Sequence, residues 1–436
     1  MKKTKALLVT SFALFSLFFG AGNVLLPPFL GYNAGSDWFW VSIGFMFTAV
    51  CIPILGIYAH SKLQGTLFDF GKKVSPKFSF LYCIIIYVIA IAIPAPRTAA
   101  ATFEMAVMPY LNIDALPMSI IYFLLVLIFV LNRSRILNVI GKYLTPIIVL
   151  ALLCVIVVSL LGITSETKAT LFDLPVLSGM LEGYQTFDAI GSVVVGAVIV
   201  ISINTKFDYS FEEKKQLIKH AGVIAGLGLL LIYLGLIASG AFFGSNINLN
   251  TALSNDMQRA DLLRSICTST LGNLGNSVLS ALIALACFTT AVGIITGAAD
   301  YFKGLFKDSQ KAYIITAVLS SVIGVLVGQL NFNSIITIAI PFLLLIYPIT
   351  IVLILLNAIP EKFASVTVFR FVVLVTFVFC IPDVIGFVAP SQTLGVIVKY
   401  IPLTEYSFGW VLPALVTFIL CNLFSKKSLR LHFFNS

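Results

Sequence analysis

The feature that most constrains this chain is an interruption inside its first long apolar segment, Phe18-Phe19-Gly20-Ala21-Gly22-Asn23-Val24-Leu25-Leu26-Pro27-Pro28. The segment is apolar enough for hydrocarbon, where a free backbone N–H or C=O finds no partner and an unbroken helix is the ordinary solution. Two glycines, an asparagine and two prolines work against that continuity. Such a break is sustained where the freed backbone lines a cavity and binds something. In secondary transporters, broken helices near the bilayer midplane form the substrate and ion sites. The competing reading is a Pro/Gly kink that only packs.

Composition supplies the setting. Of 436 residues, 59% are hydrophobic and only 10% charged, with a mean hydropathy of +1.06. A soluble domain carries about 25% charged residues. Apolar runs recur at about the 20-residue length a bilayer requires. Twelve spans are expected, at 7–31, 38–59, 80–108, 117–131, 143–162, 184–203, 219–242, 271–299, 312–330, 334–356, 367–388 and 406–424, the fourth extending outward toward Ala115.

With both termini cytoplasmic, 22 of the 27 Lys and Arg residues fall on the inner side, the asymmetry that orients membrane proteins. Lys168, Arg259, Arg264 and Lys399 fall outside, and Arg97 lies within the third span. The net charge of +9 is thus an orientation signal, dispersed over inner segments rather than gathered into a nucleic-acid face. The basic start before an apolar run lacks the clean small-residue cleavage site of a signal peptide. The seven scattered cysteines predict no disulfide framework. His60, His220 and His432 sit at inner boundaries, which leaves no intramembrane histidine for a catalytic metal.

Four intramembrane features can carry chemistry. At the first break, Gly20, Ala21, Gly22 and Asn23 are substrate-binding candidates. The half-helix beginning there points free N–H groups and a positive dipole end at an anion such as a carboxylate. The preceding half-helix ends in carbonyls around Ser16 to Phe19, suited to a cation. The second feature is Ala286-Cys287-Phe288-Thr289-Thr290 in the eighth span. Its adjacent hydroxyls either bond their own i−4 carbonyls or serve as oxygen ligands for Na+. The third is Asp188, within Gly183-Tyr184-Gln185-Thr186-Phe187-Asp188-Ala189-Ile190-Gly191-Ser192 of the sixth span. An ionisable residue in a membrane is a functional candidate by default. It can sense protons, pair with a substrate amine or gate; alternatively it is solvated near the outer mouth. The fourth joins Arg97 and Glu104 on one face of the third span, as a gate or a structural ion pair.

Interruptions in the first and sixth spans, five spans apart, predict an inverted repeat: 7–162 as the first five helices, 184–356 as the second, and 367–424 as two additional helices of a single domain over 1–436. The expected fold is an all-α polytopic membrane protein with 12 transmembrane helices and a 5+5 inverted repeat.

Across nearly its whole length the chain resembles the bacterial branched-chain amino acid:cation symporters, the leucine–isoleucine–valine permease family. The likeness rests on Phe15-Ser16-Leu17-Phe18-Phe19-Gly20-Ala21-Gly22-Asn23 with Pro27-Pro28-Phe29-Leu30-Gly31, and on Pro96-Arg97-Thr98-Ala99 with Phe103-Glu104. It rests further on Gly183-Tyr184 with Asp188-Ala189, and on Thr289-Thr290-Ala291-Val292-Gly293. The resemblance implies uptake of leucine, isoleucine or valine with Na+ or H+ across the bacterial cytoplasmic membrane, within the amino acid–polyamine–cation superfamily. Carried over from that superfamily, a sodium site comprises Ser16, Phe19 and Ala286 through their carbonyls and Thr289 and Thr290 through their hydroxyls. Substrate contacts fall at Gly20, Ala21, Gly22, Asn23, Ile190, Gly191 and Ser192. Arg97, Glu104 and Asp188 are gating or proton-coupling candidates. Asn23 matches the asparagine of a second sodium site in some relatives, but no partners for it are matched on the sixth and seventh spans. Pro27-Pro28 stand where those relatives carry an arginine, so the outer gate is built differently here.

Other classes fare worse. A channel needs a hydrated polar file or rings of charge, a membrane enzyme needs a nucleophile–base pair or metal cluster, and a receptor usually carries a large soluble domain. The longest non-membrane stretch is 243–270. The serious alternative is the same fold carrying another amino acid or small zwitterion.

Overall fold

The computed structural model describes residues 3–162, 166–244, 247, 249, 255–388 and 401–434. Lys2 and Lys399 of the charge count lie outside them, as does the side chain of Ala21. Every described element is helical. In chain order these are α1 (Lys3–Phe18), α2 (Ala21–Ala34), α3 (Trp38–Met46), α4 (Ile52–Leu63), α5 (Leu67–Gly71), α6 (Pro76–Ala92), α7 (Pro94–Ala101), α8 (Ala115–Leu131), α9 (Ile136–Val139) and α10 (Thr145–Leu161). They continue with α11 (Pro175–Tyr184), α12 (Asp188–Lys206), α13 (Phe211–Phe242), α14 (Asn255–Leu271), α15 (Asn273–Leu305), α16 (Gln310–Val327), α17 (Phe332–Ala358), α18 (Val366–Val388) and α19 (Val411–Phe434). Among the described residues, nine helical runs are long and apolar enough to cross a membrane, and Ala115–Leu131 and Val411–Phe424 are shorter apolar helices.

Two expected spans are broken, as the sequence implies. The first separates into α1 and α2 around Phe19 and Gly20, and Gly20 is extended (φ −105°, ψ −168°). The Gly20 N–H donates to Asn23 Oδ1 at 3.2 Å, a side-chain cap for the new helix start. Pro27 and Pro28 remain inside α2. The sixth span begins earlier than the 184–203 expected. A ten-residue helix, α11, precedes it, and the chain turns through Gln185–Phe187 before α12. Phe187 takes a left-handed conformation (φ 64°), which costs a side-chain-bearing residue energy and is characteristic of functional turns. Asp188 follows this turn and is buried at the break, which counts against the alternative of a solvated carboxylate.

The third span bends at Ile93, between α6 and α7, and ends in a π-helical turn at Thr102–Val107. The stretch 243–270, read as connecting sequence, contains α14. Its charges at Arg259, Asp261 and Arg264 keep it out of an apolar count without preventing a helix.

The chain divides into two compact units, Met1–Gln64 with Tyr87–Thr337 and Gly65–Ile86 with Ile338–Ser436. In the second unit, Tyr82 and Thr350 share a buried hydroxyl pair at 2.8 Å, and Asn357 Nδ2 donates to the Phe70 carbonyl at 3.1 Å. The first unit holds both breaks and every candidate site residue. There, close backbone approach fixes the half-helices α2 and α11. A Cβ at Gly31 would overlap the Ile237 carbonyl, and one at Gly240 the Pro28 carbonyl, so α2 lies directly on α13. Gly44 and Gly179 give α11 the same fit on α3, against the carbonyls of Val176 and Val41.

Candidate functional site

Both breaks open onto one cavity. Its lining includes Leu17, Phe18, Gly20, Gly22 and Asn23 from the first break, and Thr186, Phe187, Asp188, Ile190 and Gly191 from the sixth. Arg97, Thr98 and Pro94 of α7 join them, with Thr290 and Ile294 of α15. The walls are mainly aliphatic, with a few convergent polar groups, the usual make-up of a small-molecule site.

On the α15 side, where Thr290 alone of the five proposed sodium ligands lines the cavity, the neighbouring groups are neutral oxygens. Thr289 is fully buried, and its hydroxyl donates toward the Ser16 carbonyl and the Ala286 carbonyl, both at 3.0 Å. The Ser16 hydroxyl in turn donates to Thr289 Oγ1 at 3.0 Å. Thr289 is therefore placed to bond a carbonyl of its own helix, at i−3 rather than the i−4 considered from sequence, and one across on α1. Thr290 Oγ1 is buried beside Gly20, where a Cβ would sit 3.1 Å away, and has no hydrogen-bond partner among the described residues. An unsatisfied buried hydroxyl is costly and calls for an explanation. Phe19 lies in the break itself, its ring stacked on Phe15 and Tyr233 at 5.3 and 6.0 Å. Of the five proposed sodium ligands, the structure joins Ser16, Ala286 and Thr289 directly and places Thr290 against the break that holds Phe19.

On the α12 side the groups are charged. Asp188 is 3% exposed. Its Oδ2 accepts from Asn23 Nδ2 at 2.7 Å and from the Tyr233 hydroxyl at 3.4 Å, and Asn23 also donates to Tyr233. The backbone N–H of Asp188 donates to Thr186 Oγ1 at 3.3 Å. A carboxyl group does sit by the start of α2, but it is the protein's own, held by the Asn23 side-chain amide. Tyr233 of α13 escaped the sequence reading. A tyrosine in the middle of an apolar run was the available signal, and nothing in the sequence linked it to Asp188. It is a hydrogen-bond partner of Asn23 from the expected seventh span.

Arg97 is 5% exposed. Its Nη1 donates to the Gln185 carbonyl at 3.2 Å, and its guanidinium lies over the Phe187 ring at 5.5 Å. A Cβ on Gly22 would come within 3.4 Å of Nη2, so the glycine gives this side chain its room. Glu104 lies in the π-turn beyond α7, half-buried and not among the cavity residues, because the wider turn changes the helical phase expected to align it with Arg97. Ile190 and Gly191 line the cavity; Ser192 does not, and its hydroxyl donates to the Ala189 carbonyl at 2.7 Å. Ala21 opens α2.

Two ion pairs flank this region. Arg259 of α14 bonds Glu182 of α11 at 3.1 Å and lies over the Phe29 ring of α2 at 5.6 Å. Arg133, between α8 and α9, bonds Asp300 of α15 at 2.8 Å, donates to Ser202 Oγ at 2.8 Å and donates to the Val198 carbonyl at 3.1 Å. Each arginine ties a half of the sixth segment to a neighbouring helix. No cluster of metal-ligating His, Cys, Asp and Glu occurs among the described residues.

Comparison with known proteins agrees with this architecture. Solved structures similar in fold include a Na+-coupled sialic acid symporter, at a TM-score of 0.59 and 14% identity over 95% of this chain and 90% of that one. A transporter of the nucleobase-cation-symport-1 family gives 0.61 and 11%, over 97% and 93%. The "Branched-chain amino acid transport system 2 carrier protein" of Pseudomonas aeruginosa is 31% identical over 431 residues, 95% of this chain and 96% of its own length. The family model described as "Branched-chain amino acid transport protein" matches residues 3–428. An all-helical chain with two broken helices around one cavity thus belongs, over nearly its full length, to the branched-chain amino acid transport protein family.

Proposed function

We propose that this transporter imports leucine, isoleucine and valine by symport with Na+, alternating between outward- and inward-facing forms. The observation that carries the reading is the meeting of α1 and α15, where the Ser16 and Ala286 carbonyls and the Thr289 hydroxyl gather within 3.0 Å contacts, beside the unpartnered Thr290 hydroxyl. Oxygen ligands without formal charge suit a small hard cation that must be both taken up and released. With the Phe19 carbonyl they make the five-oxygen sodium site of the proposal. A bound ion would satisfy Thr290 and join the halves of the first break to α15. The apolar walls from Leu17, Phe18, Ile190 and Ile294 suit a branched side chain.

The wider reading follows the same lines. Twelve spans place both termini in the cytoplasm of a bacterial cell. The glycine fit of α2 on α13 and that of α11 on α3 relate the first and seventh spans as the sixth relates to the second, which supports a five-plus-five inverted repeat. With this topology Glu182–Arg259 is an outer tie and Arg133–Asp300 an inner one, and alternating access would release them in turn. One positive charge crossing 100 mV is worth about 2.3 kcal/mol, and a tenfold ion gradient adds about 1.4 kcal/mol. Together these sustain a several-hundred-fold accumulation of a zwitterion.

The test is radiolabelled leucine uptake into proteoliposomes under an imposed Na+ gradient or an imposed proton gradient, with competition by other amino acids. Na+-driven uptake inhibited by isoleucine and valine is the expected result. Uptake driven only by protons overturns the ion assignment. Absence of leucine uptake, with another amino acid carried, overturns the substrate.

A further inference from the structure

Two ionisable side chains of opposite type, Arg97 and Asp188, line the cavity, each at most 5% exposed. Buried charges are expensive unless compensated. The three-residue turn of the sixth break orients both of them. Gln185 gives its carbonyl to Arg97 Nη1 and Phe187 lies under the guanidinium, while Asp188 follows immediately in the chain. The start of α2, where a substrate carboxylate would otherwise dock, already faces the protein's own Asp188. Asn23 Oδ1 takes the Gly20 N–H, and the amide of Asn23 holds the Asp188 carboxylate. A second carboxylate placed there would face Asp188 at close range, and like charges in a desolvated site repel strongly.

We propose that the two charged ends of the amino acid divide between these residues: the Arg97 guanidinium receives the carboxylate and Asp188 receives the ammonium. The inference rests on the amino acid symport reading and fixes how its substrate lies. It also explains why a solute with no net charge enters a site that holds an acid and a base. A zwitterion offers each of them an opposite charge, whereas a simple amine or a simple acid meets only one. The aliphatic chain then points to Leu17, Phe18, Ile190 and Ile294. Asn23 and Tyr233 are positioning residues, since they hold the Asp188 carboxylate without needing to touch substrate.

The experiment uses purified full-length protein with Na+ present and reads ligand-induced thermal stabilisation. The ligands are leucine, 4-methylpentanoate (leucine without its ammonium) and 3-methylbutylamine (leucine without its carboxylate). Asp188→Asn should weaken leucine about 10- to 100-fold, the range of a lost charge-assisted bond, and leave 4-methylpentanoate unchanged. Arg97→Gln should weaken leucine by a similar factor and leave 3-methylbutylamine unchanged. Arg97→Lys, which keeps the charge, should bind leucine better than Arg97→Gln. Stabilisation by Na+ alone reports that each variant is folded. An unchanged leucine affinity in either neutral variant overturns the assignment. So does equal weakening of all three ligands in a variant that still responds to Na+. If neither analogue stabilises the wild type, the ranking of the Lys and Gln variants decides: equal leucine affinities overturn the assignment. Wild-type protein that fails to bind leucine at all removes the symport reading, and this inference with it.

Discussion

The two sides of the cavity are built from opposite materials. Where α1 meets α15, the polar groups are carbonyls and hydroxyls, none of them charged: Ser16, Ala286, Thr289 and Thr290. Where α2 meets α12, the polar groups include a carboxylate and a guanidinium, held by Asn23, Tyr233 and Gln185. A neutral oxygen set can accept a small cation and later release it, because it gains no strong fixed attraction. A charged set demands complementary charge, and so selects what enters. On the proposed reading, the difference places the ion beside the cavity, at the Thr290 edge, and the amino acid within it.

Substitutions can break or sharpen this division. The largest effect is expected for Thr289→Val, which removes the hydroxyl bonded to both α1 and α15. Na+-driven leucine uptake should fall by about 100-fold, as for a lost buried partner with its desolvation penalty. A Na+ activation curve shifted far to higher concentration would check it. Next comes Asn23→Ala, which unties Asp188 from the start of α2. Leucine affinity should drop about tenfold, with Na+ binding measured without leucine much less affected; an equal loss of both would erase the division. Tyr233→Phe deletes a single hydroxyl from the same cluster and should cost about fivefold in leucine affinity, near the net worth of one hydrogen bond. The smallest effects belong to a matched pair. Gly20→Ala places a methyl 3.1 Å from Thr290 Oγ1, and Gly22→Ala places one 3.4 Å from Arg97 Nη2. Each should cost a few-fold, the first in Na+ affinity and the second in leucine affinity. Titrating each ligand against each variant separates the two.

Much of this was legible in the chain because hydrocarbon forbids certain things. Gly20, Gly22 and Asn23 inside an apolar run announced the first break, and Asp188 announced a buried charge that had to be met. The adjacent hydroxyls of Thr289 and Thr290 stood out against an apolar helix. What stayed hidden depends on distance in the chain or on local phase. Tyr233 lies 45 residues from Asp188, and its helix looks uniformly apolar around it. Arg97 and Glu104 were paired by α-helical spacing, and the π-turn at Thr102–Val107 changes that spacing. The span expected from residue 184 begins where α11 in fact ends; Pro175–Tyr184 is a ten-residue helix packed on α3 through Gly179. The polar helix α14 is invisible to an apolar-run criterion, since Arg259 and Arg264 lie within it.

The central claim is that the neutral oxygens between α1 and α15 bind the coupling ion. The most direct test is equilibrium binding of radioactive sodium to the purified protein, with and without leucine, in wild type and in the Thr289→Ala/Thr290→Ala variant. The account predicts saturable sodium binding that leucine tightens in the wild type and that the double substitution abolishes. Sodium binding undiminished in the double variant, with leucine uptake still coupled to it, would contradict the account and move the ion elsewhere in the cavity.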